Sequence, residues 1–145
     1  GGALVFWPRV IPRTAPPEVT KLAGDLQARL TTVVQRALPG RSVDIRPEPE
    51  RVCPRGGCEA VNVGVLLVHD GGGCGAVALV SRPGESPQKL VTWGGTITLK
   101  TPEVPFREYP ESQVTINDMV PCNQLLEKLA AAEADVAKAI EEAAD

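Results

Sequence analysis

Two consecutive apolar stretches, parted by a run of glycines, constrain this chain more than any other feature. Residues 60–69 read Ala-Val-Asn-Val-Gly-Val-Leu-Leu-Val-His, and Cys74 to Ser81 reads Cys-Gly-Ala-Val-Ala-Leu-Val-Ser. With alternation at period two, Val61, Val63, Val65 and Leu67 share one face of the first stretch. Leu66 and Val68 make its other face apolar near the end. In the second stretch Val77 and Leu79 lie on one face, and Ala76, Ala78 and Val80 on the other. Gly71-Gly72-Gly73 is a hairpin-turn signal. Strands that are apolar on both faces belong at the centre of a sheet covered on both sides.

The flanks supply the remaining layers. Ala3 to Trp7 is a short run of strand formers that Pro8 ends. Residues 8–17, Pro-Arg-Val-Ile-Pro-Arg-Thr-Ala-Pro-Pro, read as an extended, proline-punctuated arm on the surface, open to a partner's groove. Val19, Leu22, Leu26, Leu30, Val33, Val34 and Ala37 then recur at three- and four-residue steps, which predicts an amphipathic helix over about 16–38. Pro39-Gly40 stops it. Ser42 to Arg46 alternates as a strand, and Pro47 to Gly57 reads as a loop. Pro83 to Pro87 is a turn, and Lys89–Leu99 reads as one strand bent at Gly94-Gly95. Residues 100–118, with Pro102, Pro105 and Pro110, read as a long irregular loop. Asn117 or Asp118 is placed to cap a last helix over 121–144, with Leu126, Leu129, Val136 and Ile140 on its apolar face. Its acidic other face reads as solvated.

The order strand, helix, strand, then three strands and a helix predicts one α/β domain over 1–145. Residues 3–7 and 42–46 fit a parallel β-α-β crossover. The next three strands form an antiparallel meander. The expected architecture is a mixed five-stranded sheet with two amphipathic helices packed on it. Five aromatic residues in 145 leave its core to Val, Leu, Ile and Ala. Fifteen basic against eighteen acidic residues give a net charge of −3, which argues against a basic nucleic-acid binder. No apolar run approaches the ~18 residues of a membrane-spanning helix.

Four cysteines, Cys53, Cys58, Cys74 and Cys122, suit two disulfides and an oxidising compartment. The alternatives are free thiols in an intracellular protein, or zinc held by all four thiolates. Strand length favours one pairing. At ~3.3 Å per residue, ten residues span roughly 33 Å. Cys58 precedes that strand and Cys74 follows it, whereas a disulfide needs Cα atoms within about 7 Å. Cys53–Cys58 and Cys74–Cys122 is therefore the favoured connectivity, and the same separation disfavours a single four-thiolate zinc site. Short paired cysteines typical of zinc sites occur once, not twice.

Little else suggests chemistry. His69-Asp70 has no second His in the chain to complete a metal site, and a hydrolase would have to use His69 as its base. Gly71 to Gly75 joins strand to strand and lacks the Lys of a phosphate loop. Glu48, Glu50 and Glu59 lie in a proline-rich loop that sets no separation between them. Neither a catalytic residue nor a cofactor or metal is expected. Trp93 reads as core. Trp7, Arg9, Arg13, Phe106 and Tyr109, in the arm and the long loop, are the expected partner-binding residues, because interfaces favour such side chains.

The element order resembles the TolB amino-terminal domain and its relatives among bacterial envelope lipoproteins. Leu4-Val5-Phe6 through Ile45 is similar to that family's opening, and Gly57 to Val65 resembles the start of its next strand. Leu79-Val80 and Thr92-Trp93 resemble the strands that follow. The chain departs from the pattern at 47–58, where a loop with two cysteines stands in place of a short helix, and at the long loop 100–118. The resemblance implies a periplasmic or outer-membrane-associated, non-catalytic module that binds other envelope proteins. Export would then require a signal removed upstream of Gly1, and any lipid anchor would lie there too. The competing expectation is an intracellular zinc-binding or thiol-redox module built on the four cysteines.

Overall fold

The structure is a computed structural model, and it describes residues 2–46, 60–82, 89–94, 96–99 and 114–144. It is mixed α/β. Strands β1 (Ala3–Phe6), β2 (Arg9–Ile11), β3 (Val43–Arg46), β4 (Val61–Asp70), β5 (Gly73–Ser81), β6 (Lys89–Thr92) and β9 (Val120–Pro121) form one sheet. Its order is β3-β1-β4-β5-β6, with β2 also on β4 and β9 also on β5. Seven strands thus fill five positions. Strands β7 (Thr96–Leu99) and β8 (Val114–Asn117) pair separately.

The central hairpin is formed by β4 and β5, paired antiparallel from Asn62↔Ser81 to Asp70↔Gly73. Gly71 and Gly72 close it with φ of 53° and 86°, the two positive values that a two-residue hairpin turn requires. Both faces are buried, as the double apolar pattern demands. On one, Val61, Val63, Val65, Leu67, Ala76, Ala78 and Val80 join the helices in the main core. On the other, Leu66, Val68, Val77 and Leu79 cluster with Phe6, Ile11 and Ile116.

Helix α1 (Pro17–Ala37) begins on a proline that needs no N–H partner and ends before Gly40, whose φ is 78°. Val19, Leu22, Leu26, Leu30, Val33 and Val34 are buried against the sheet. Each such side chain contributes about 1.5–3 kcal/mol of burial. Strands β1 and β3, on either side of this helix in sequence, pair in parallel. Trp93 is fully buried, and its indole N–H donates to the Leu129 carbonyl at 3.2 Å.

Five expectations need correction. The arm at 8–17 is not free: β2 pairs in parallel with β4, and Ile11 is buried. Between Val5↔Val63 and Arg9↔Leu66 the arm advances four residues while β4 advances three. One extra residue is therefore accommodated as a bulge around Trp7-Pro8. Residues 89–99 are not one strand. Trp93 N–H and Gly94 C=O still pair with Ala76, but Gly94 turns at φ 138° and β7 leaves the sheet.

The segment 100–118 is not wholly irregular, since β8 occupies 114–117 and pairs with β7 from Thr96↔Asn117 to Leu99↔Val114. Asn117 and Asp118 cap no helix: Asn117 closes β8, and Asp118 takes a positive φ of 55° before β9. The last helix is broken into a 3-10 turn (Cys122–Gln124), α2 (Leu125–Leu129), a second 3-10 turn (Ala130–Ala132) and α3 (Glu133–Ala144). Its buried positions are Leu125, Leu129, Val136, Ala139 and Ile140; Leu126 is only half-buried. No helix among the described residues is long and apolar enough to cross a membrane.

Candidate functional site

Two features stand out on this scaffold: a disulfide and an exposed segment. Cys74 lies in β5 with its side chain wholly buried. Strand β9 pairs with the start of β5, Gly73↔Pro121 and Cys74↔Val120. The Cys122 N–H then donates to the Gly72 carbonyl at 3.0 Å. This local ladder sets the Cα atoms of Cys74 and Cys122 4.8 Å apart, and the two side chains form a disulfide across 48 residues of sequence. It ties the central hairpin to the root of the C-terminal helices. Cys53 and Cys58, the other expected pair, lie outside the described residues, as do Phe106, Tyr109, Glu48, Glu50 and Glu59.

The expected partner-binding residues Trp7, Arg9 and Arg13 follow one another along the β1–β2 segment. Trp7 sits at the bulge, 45% exposed, with its backbone N–H donating to the Arg46 carbonyl at 2.8 Å. Arg9 is half-buried in β2, and Arg13 is exposed beyond the cis Ile11-Pro12 peptide. His69 belongs to the same end of the molecule. Its Nε2 donates to the Pro12 carbonyl at 2.8 Å, so the imidazole fastens the arm to β4. Among the described residues, no group of three or more His, Cys, Asp or Glu side chains is placed to hold a metal ion.

Three arrangements escaped the sequence pattern. Arg29 on α1 reaches the broken C-terminal segment, where its Nε bonds the Glu133 carboxylate and its Nη1 donates to the Leu126 carbonyl at 2.9 Å. Gln27 is buried on α1 with both amide atoms unpartnered. It stands four residues after Ala23 and three before Leu30, a spacing that already placed it on the apolar stripe. Nothing in the structure explains why an amide occupies that position. Ile45 on the edge strand β3 is 52% exposed.

Compared with protein-family models, curated proteins and solved structures, the chain matches none.

Proposed function

We propose that this chain is a non-catalytic interaction module of the bacterial cell envelope, exported to an oxidising compartment and held rigid by disulfides. It would act in the manner of the TolB amino-terminal domain, by presenting surface to other envelope proteins. The observation that carries this reading is the Cys74–Cys122 disulfide. Disulfides persist in exported proteins and are rare where glutathione keeps thiols reduced. The pairing also consumes two of the four thiolates that zinc or a redox cycle would need. In this reading His69 serves to fasten the arm to β4 through the Pro12 carbonyl. The partner-binding residues in this reading are Trp7, Arg9 and Arg13 on the β1–β2 segment, together with Phe106 and Tyr109.

The test is intact mass with thiol alkylation before and after reduction, with metal analysis on the same sample of native protein. The expected result is no alkylation until reduction, with a peptide linking Cys74 to Cys122. Alkylatable Cys74 and Cys122 in the native protein, or stoichiometric zinc, would overturn the reading in favour of an intracellular zinc or thiol-redox module.

A further inference from the structure

We propose that β3 is a self-pairing edge, through which two copies of this chain join antiparallel about a twofold axis passing between their Ile45 residues. The inference is independent of the export reading, since it concerns only backbone and side chains of the edge.

Among the described residues, strand β3 is the last in the sheet and pairs with β1 alone. The Ala3 N–H donates to the Ser42 carbonyl and the Trp7 N–H to the Arg46 carbonyl. In this parallel register the even residues of β3 turn their backbone groups toward β1. Val43 and Ile45 therefore turn theirs outward. An exposed row of donors and acceptors is a template for another strand, and proteins commonly blunt it. Here the strand is short and carries Asp44 and Arg46, but its centre is the apolar Ile45. Ile45 and Trp7 are the exposed large hydrophobic side chains among the described residues, and both stand at this end of the sheet.

The side chains of β3 select the occupant. With Ile45 opposite Ile45 of the second copy, the two residues exchange both N–H···O=C bonds, as a narrow antiparallel pair does. Asp44 then stands directly opposite Arg46 of the second copy, and Arg46 opposite Asp44, on the other face of the strand. Such non-hydrogen-bonded pairs bring side chains closest, and opposite charges there are favourable. Within one chain Asp44 and Arg46 already approach to 3.9 Å. In the dimer each of these charges also faces an opposite one across the interface. Moving the twofold axis by one residue, to Asp44, would set Asp44 against Asp44, a like-charge contact that is disfavoured. The edge is thus complementary to itself with the axis at Ile45. Pro47 follows in the sequence and has no N–H to give, so the ladder is short and the association weak.

The experiment is sedimentation velocity on the full chain from about 5 µM to about 1 mM, the range in which weak contacts are read. Wild-type protein is expected to pass from monomer to dimer. Asp44→Arg and Arg46→Asp are each expected to raise the dissociation constant at least about tenfold, and the double exchange to restore it to within about threefold. Ile45→Pro removes an outward N–H without touching the β1 ladder and is expected to abolish the dimer. Circular dichroism on every variant verifies the fold. A monomer throughout the concentration range, or a dimer indifferent to both single charge changes, would overturn the proposal.

Discussion

Gly75 and Ile116 show how much of this fold turns on a single missing side chain. A Cβ at position 75 would stand 2.5 Å from Ile116 Cγ2 and 3.2 Å from the Gly94 carbonyl. Bare backbone at that point lets β8 cross β5 and seat Ile116 on the second apolar face, beside Val77 and Leu79. Gly75→Ala is expected to cost about 1–3 kcal/mol in urea denaturation, as overpacking does. Ile116→Ala in the same chain should recover part of that loss, with a coupling of at least about 0.5 kcal/mol. Strictly additive costs would show that the clash with Ile116 is not the cause. Gly94 serves a different end. Its φ of 138° is closed to other residues, and it turns the chain out of the sheet immediately after buried Trp93.

At the scale of elements, the decisive contact is between α1 and the broken C-terminal segment. The Leu126 carbonyl, just ahead of the 3-10 turn, accepts from Arg29 Nη1. The Glu133 carboxylate, at the start of α3, holds the same guanidinium. Leu129 and Val136 are seven residues apart, so two turns separate them and the apolar face survives the tightened 3-10 turn. Arg29→Ala removes both bonds and is expected to cost about 1–2 kcal/mol, since the pair is partly exposed. Amide exchange over 126–133 should quicken in that variant. Glu133→Gln keeps the Leu126 bond and should cost less than about 1 kcal/mol. Equal losses for the two variants would mean that the carbonyl bond contributes nothing.

At the scale of the whole molecule, one covalent link spans the sheet and the terminal helices. The Cys74–Cys122 disulfide closes a 48-residue separation that contains β6, β7 and β8. Restricting the unfolded chain over such a loop is worth on the order of 4 kcal/mol in the chain-entropy model. Replacing both cysteines by alanine, with Cys53 and Cys58 kept, is expected to cost about 2–4 kcal/mol in chemical denaturation. A loss below about 0.5 kcal/mol would mean that the local ladder of β9 on β5 holds this corner without the bond.

The division between what is legible in the residues and what is not has a physical basis. Period-two and period-3.6 patterns report burial directly, so the central hairpin, α1 and the five sheet positions follow from the sequence alone. The Cys74–Cys122 pairing is legible for a related reason: strand length sets distance, and distance limits which thiols meet. Val114-Thr115-Ile116-Asn117 also carried a strand signal, an alternation of β-branched residues, beneath the neighbouring prolines. Other features depend on partners remote in sequence. Which strand β7 pairs with, where α2 yields to α3, and why the arm at Arg9–Ile11 lies along β4 are decided by contacts no local pattern encodes. Arg29 meets Leu126 and Glu133 across about a hundred residues, and the exposure of Ile45 depends on β3 being last in the sheet. A sequence specifies which faces must be buried; only the assembled tertiary structure decides which strands stand side by side and which residues, remote in sequence, meet across them.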